Sequence, residues 1–379
     1  MTDYCRNFSP DSVASKIAAM LFGHAFGDAY GLPYEYKKRG HVHEYPYEES
    51  IRGVLPNDWT DDTDITILCM ASLIENNMHF NAKDVVFKFR YWLERGLVQT
   101  GYDHPKTPSA LFAEILKTPG YLENPYTVAA ELNKSSAGSM RTNFPISYIC
   151  FAGSTHNPPE IAAQFCKLTH PDPLCVAASV YYAVAINKLI CGIPIVDVMD
   201  EAAKYAGMDA QTTQTTKYAG MDAPTTQTTQ TAVTKLINTG FTKSLSSFDL
   251  STDTNSIEKA LYLIGFTLQL ISRADEVGAT TANTSKPNFL KCIHAVALQG
   301  GDADANCGIV GALLGARYGF TILPEDITHM PSHTVLHQFT AFYINRLYQP
   351  VLDEENRAAS ANNDASADAG DSATTAGDR

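Results

Sequence analysis

A chain of 379 residues, 45% hydrophobic and 18% charged, has the composition of an ordinary globular protein and can bury a large core. The formal charge is −13; seven acids against two arginines from Asp353 to Arg379 account for −5 of it, and neither that segment nor the remaining −8 offers the basic footprint of a nucleic-acid groove. No run approaches the roughly 20 apolar residues that span a bilayer, and the first residues lack an apolar signal core, so a soluble cytoplasmic protein is expected.

The predicted elements are helices from the start. After the cap candidate Ser12, Ile17, Met20, Leu21 and His24 repeat at helical spacing. Small residues close this helix in GHAFGDAYGLPYE (23–35), which leads through a proline turn to Glu35; Asp28 within it suits either a buried hydrogen-bonding acid or a ligand. A second helix follows Trp59-Thr60-Asp61-Asp62-Thr63-Asp64, with a broad apolar face through Ile65, Leu68 and Ile74. The stretch from Cys175 to Leu189 is apolar on nearly every face, which marks an interior helix. Ile257, Leu261, Ile264, Leu268 and Ile271 define another. Strand alternation with hairpin turns is hard to find, so the reading is all-α, one compact domain over about 10–352.

Two segments are expected to lie outside that core. KYAGMDA at 204–210 recurs at 217–223 among Thr and Gln, so about 204–231 reads as a solvated low-complexity insertion. The tail 353–379 has no apolar period and reads as disordered. The eight cysteines form no CxxC pair and mostly sit in apolar stretches, the pattern of reduced, buried thiols rather than of a disulfide scaffold or a zinc site.

Two acidic clusters carry the chemistry. In WTDDTD (59–64), acids in the first turn of a helix are stabilised by its dipole and Thr60 is a good N-cap residue, yet three acids in four residues repel one another. In GGDADAN (300–306), two glycines permit a sharp turn and two acids again open a helix, whose Gly308, Gly311 and Gly315 allow close approach of a neighbouring backbone. Helix capping and metal binding both account for such acids. Carboxylates and threonine hydroxyls are hard oxygen donors that suit Mg²⁺ or Mn²⁺ and not zinc.

Taken together, GDAYGLPYE at 27–35, WTDDT at 59–63, LTHPDP at 168–173 and GGDADAN at 300–306 closely resemble, in order and spacing, the motifs of the ADP-ribosylglycohydrolase family, over about residues 10–320. The resemblance implies a single compact orthogonal helical bundle that uses two Mg²⁺ ions (Mn²⁺ as substitute) to cleave the glycosidic bond of ADP-ribose in ADP-ribosylated proteins or derivatives. By the same resemblance Thr60, Asp61 and Asp62 ligate metal from one side, Asp302 and Asp304 from the other. Glu35, with Asp61 and Asp62, falls where members position and deprotonate the attacking water. The substrate loop corresponds to Ser135–Arg141, with Gly138, Ser139 and Met140 at the substrate.

His170 has two readings, a ribose or phosphate contact and a cap of the helix that begins near Pro173. Phe144, Tyr148 and Phe151 read as core rather than as an adenine platform. His329, His333 and His337 read as a surface or packing stripe on a helix that starts at Ser332. The sequence departs from the family pattern at Ala303 and Ala305, where members carry threonine or serine and the second hydroxyl completes the metal shell. That departure leaves a second reading, a catalytically silent structural protein or an ADP-ribose binder.

Overall fold

The structure, a computed structural model, describes residues 9, 12–39, 50–135, 141–207, 226–252, 256–281 and 285–349. Among these residues there are fourteen α-helices and no strand. The fold is therefore all-α. The tail, Gly138, Ser139 and Met140 of the substrate loop, and 208–225 of the duplication lie outside the described residues.

Helix α1 (Val13–Gly31) starts where Ser12 accepts a hydrogen bond from the Ser15 amide, 3.1 Å. It is followed by a 3₁₀ turn, Leu32–Tyr34. Then come α2 (Asp61–Glu75), α3 (Ala82–Arg95), α4 (Ala110–Lys117), α5 (Pro125–Ser135), α6 (Phe144–Tyr148) and α7 (Pro158–Lys167). The second half holds α8 (Pro173–Ile190), α9 (Ile195–Ala206), α10 (Thr226–Thr242), α11 (Ser256–Thr281), α12 (Phe289–Ala297), α13 (Ala303–Tyr318) and α14 (333–349).

Helix α8 is long and apolar enough to cross a membrane, but 78% of it is buried inside the protein. Its apolar faces meet α7, α9 and α13, which is why it lacks the polar stripe of a surface helix. The helices α9 and α10 run into the low-complexity segment from both sides. Lys204–Ala206 complete α9 and Thr226 opens α10, where Gln230 donates to the Ala203 carbonyl at 2.7 Å. Within the expected low-complexity segment, 204–206 and 226–231 are thus helical.

The contact that builds the site is between α1 and α13. Both helices are buried almost throughout, and they meet along a line of glycines. A Cβ on Gly23 would lie 2.4 Å from the Gly311 carbonyl oxygen, one on Gly27 2.2 Å from that of Cys307, and one on Gly31 2.3 Å from that of Ala303. Only hydrogen in place of a side chain permits this approach. The C-terminal end of α1 is thereby pressed against the N-terminal turn of α13. Of the cysteines, Cys69, Cys150, Cys166, Cys175 and Cys307 are free and buried, and Cys191 is exposed.

Candidate metal centre

The segment after α1 and the turn before α13 are stitched by their backbones. The Tyr36 amide donates to Gly301 O at 2.8 Å, and the Gly301 amide donates to Lys37 O at 2.9 Å. Gly300 and Gly301 have φ of +69° and +67°, a region that a side chain would resist. With the turn held this way, carboxylate oxygens of Glu35, Asp302 and Asp304 lie within 4.8 Å of one another.

The other acidic turn is fixed by side chains. Asp28, fully buried near the end of α1, accepts four donors from α2's first turn: the Thr60 amide (3.0 Å), the Thr60 hydroxyl (2.7 Å), the Thr63 amide (3.1 Å) and the Thr63 hydroxyl (2.6 Å). Of the two roles open to Asp28, the structure shows the buried hydrogen-bonding acid. Thr60 occupies the N-cap position, but its hydroxyl makes no capping bond because it is spent on Asp28. Its oxygen lone pairs are left for another partner.

Asp61 accepts from the Thr107 hydroxyl and the Ser109 amide, each at 3.3 Å, and Asp62 accepts from the Ser147 hydroxyl at 2.5 Å. Asp64 turns the other way. Its carboxylate takes both indole N–H groups of the chain, Trp59 at 2.8 Å and Trp92 at 2.9 Å. The three acids of this turn therefore divide into two on one side and one in a structural network.

The acids feel one another strongly. Burial, then the charges of Asp28 and Glu35, push Asp61 well above the usual carboxylate range. Burial, then Asp61, Asp28 and Asp302, do the same to Asp62. Asp304 is raised by burial and then by Glu35, Asp302, Asp62 and Asp28. These couplings across the chain join the two clusters into one electrostatic unit. Glu35 is raised by burial and by Asp302, opposed by Arg52, which is ion-paired with it and lies 5.2 Å from the Tyr36 ring centroid. Burial raises Asp28 to about 6, against the bonds from its two threonines.

Carboxylates raised by burial first and by one another's charge second are a site short of positive charge, which protons or cations relieve. The donor set is all oxygen, so a hard divalent cation such as Mg²⁺ or Mn²⁺ fits it. Asn306, 1% exposed and two residues past Asp304, has neither amide atom satisfied within the protein. Ala303 and Ala305 are buried and add no oxygen from their side chains.

The remaining predicted residues are placed as follows. His170 is 1% exposed, with its ring 5.7 Å from that of Phe144 and Nδ1 2.9 Å from the Thr169 hydroxyl; burial lowers its pKa to about 3, leaving it neutral. It does not cap α8. Asp172 does, accepting from the Leu174 amide at 2.9 Å, because a carboxylate two residues ahead reaches that amide directly. Arg141, the last residue of the segment expected at the substrate, pairs with the same Asp172 at 2.9 Å and so ties that end to the LTHPDP segment. Phe144, Tyr148 and Phe151 are core. His329 is exposed at the end of a 3₁₀ turn, separate from His333 and His337 on α14. Arg52, Lys106, Thr107, Ser109 and Ser147 were not singled out in the sequence; each lies dozens of residues from its partner acid or, for Arg52, in a segment without periodicity.

The ADP-ribosylglycohydrolase family pattern matches residues 9–355. No curated protein matches the chain. Among solved structures, an ADP-ribosylglycohydrolase-related protein complex is similar over 89% of this chain and 98% of its own, at 18% identity and a TM-score of 0.60. At that identity the likeness speaks for the all-α fold alone. The family pattern, spanning nearly the whole chain and both acidic turns, makes the conclusion direct: the chain belongs to the ADP-ribosylglycohydrolase family.

Proposed function

We propose that this protein is a divalent-metal-dependent glycosidase that cleaves the N- or O-glycosidic bond of ADP-ribosylated proteins or of ADP-ribose derivatives. The observation that carries this reading is the convergence of Glu35, Asp302 and Asp304 in one group, electrostatically coupled to Asp61 and Asp62. Thr60, Asp61, Asp62, Asp302 and Asp304 are the residues to hold two Mg²⁺ or Mn²⁺ ions. Such ions, when bound, orient ribose hydroxyls and polarise a water.

The chain's own groups do the rest. Glu35 accepts the water's proton, a task helped by a carboxylate whose burial and neighbour Asp302 make it more basic than usual. The Ser147 hydroxyl and the Thr107–Ser109 loop hold Asp62 and Asp61 in place. The surplus negative charge offsets positive charge that develops at the anomeric carbon as the bond breaks. Calorimetry with Mg²⁺ and Mn²⁺, followed by assays of ADP-ribose release from arginine- and serine-linked conjugates, tests both halves. Absence of metal binding to the wild-type chain would sink the reading.

A second reading, an ADP-ribose binder without turnover, is favoured by one feature: Arg52 engages the carboxylate that catalysis requires. Saturable ADP-ribose binding with no product in the presence of Mg²⁺ would select it.

A further inference from the structure

We propose that Lys106 is a positioning residue for the metal-ligating turn, the buried anchor of a loop that presents Thr107 and Ser109 to Asp61. This rests on the divalent-metal reading above. Lys106 is 1% exposed, unusual for a residue whose ammonium is strongly hydrated in water. Its Nζ lies 2.9 Å from Asp58 Oδ2 and 3.9 Å from Asp64 Oδ1, and 4.5 Å from the ring centroids of both Trp59 and Tyr102. The two acids it joins bracket Thr60, Asp61 and Asp62 in the chain. Asp58 also accepts from the Tyr102 hydroxyl at 3.1 Å and from the Ser332 hydroxyl at 2.7 Å, so the start of α14 is tied into the same network.

The consequence lies one residue on. Thr107 has φ of +37°, a left-handed conformation that a β-branched residue resists and that persists only when its surroundings impose it. Here both neighbours impose it. Lys106 is drawn into the core on one side, and on the other Ser109 caps α4 by accepting from the Phe112 amide at 3.2 Å. Between these two fixed points, the Thr107 hydroxyl and the Ser109 amide reach the two oxygens of Asp61. A lysine that only balanced charge would have no such effect on its neighbours' contacts with the site.

The test measures Mn²⁺ affinity by calorimetry, with Trp emission during a Mg²⁺ titration as a spectroscopic check, since both tryptophans of the chain bind Asp64. Lys106→Met/Asp58→Asn removes the anchor while preserving the network's net charge. It is expected to stay helical by circular dichroism and to bind Mn²⁺ about 10- to 100-fold more weakly, the range for losing a group that orients metal ligands. Its Trp emission should no longer follow added Mg²⁺ at wild-type concentrations. A folded double variant with wild-type affinity would overturn the proposal.

Thr107→Val keeps the anchor, the branch and the fold and deletes one hydrogen bond to Asp61. It should weaken Mn²⁺ binding ~5-fold, and unchanged binding here would also overturn the proposal even if the double variant fails to fold. Failure of the wild-type chain to bind Mn²⁺ would instead overturn the metal reading, a separable result.

Discussion

The two acidic turns reach the same place by different physics. The Asp61 turn is held by side chains: Asp28 grips it from α1, and Lys106 pairs with Asp58 and Asp64 on either side of it in the chain. The Asp302 turn is held by backbone, through two glycines at positive φ and hydrogen bonds to Tyr36 and Lys37, with α1 and α13 in glycine contact behind it. A side-chain cradle can be tuned one hydrogen bond at a time. A backbone cradle is all or none, because a single added methyl group collides with a carbonyl. The asymmetry predicts that substitutions behind the two turns fail in different ways.

The largest effect is expected on the backbone side. Gly27→Val places its Cβ against the Cys307 carbonyl and should destabilise the fold by about 3 kcal/mol or more, read as a lower melting temperature. A variant that melts with the wild type would mean that α1 and α13 separate easily and that the glycine line does not set the site. Asp61→Ala and Asp304→Ala remove carboxylates proposed as ligands and should each weaken Mn²⁺ binding on the order of 100-fold while leaving the fold intact. Equal losses from the two turns would show that they share the ions; a loss from one alone would separate them.

Next comes pH. Asp28 is raised to about 6 by burial, whereas an unfolded Asp titrates near ~4. The folded chain therefore binds this proton more tightly than the unfolded chain. Metal-free stability should be highest below pH ~4 with respect to this group and fall as pH rises to about 6, by on the order of 3 kcal/mol. Melts of chelator-treated protein at pH 4.5 and 7 measure it, and stability that rises over that interval would contradict the assignment. Adding Mg²⁺ at pH 7 should recover part of the loss, because a ligand of the folded state raises its stability.

The smallest effect is the restoration of a missing oxygen. Ala305→Thr should tighten Mn²⁺ binding ~5-fold, the equivalent of about 1 kcal/mol for one added polar contact. Affinity that stays put would indicate that the backbone-held turn completes its shell without a hydroxyl at that position, leaving Asn306 as the side chain to probe next.

Much of this was legible without coordinates. The helical spacing around Ile17 and Ile257, the all-apolar stretch of α8, the glycine line of α13 and the two acidic turns are local patterns, and local patterns survive in sequence because helix periodicity and turn stereochemistry act over a few residues. Of the two readings local sequence left for His170, the cap is not the one realised: Asp172 caps α8, and the imidazole is buried beside Phe144. Nor could residue type say which acid of the Asp61 turn would accept from Trp59 and Trp92.

What the sequence determined by itself, then, was the class of fold and the family, written in short-range periodicity and in motif order. What only the tertiary structure decided was which groups orient the acids of the two turns. Asp28 meets Thr60 across 32 residues, Lys106 meets Asp58 across 48 and Ser147 meets Asp62 across 85. Such pairs leave no trace in spacing, because it is the packing of α1 and α6 against the start of α2, and the folding of the loop before α4, that make them neighbours. Glu35 meets Asp302 and Asp304 for a related reason: glycines let α1 and α13 touch, and the carboxylates at their ends are carried together, while Asp28 of α1 holds the start of α2.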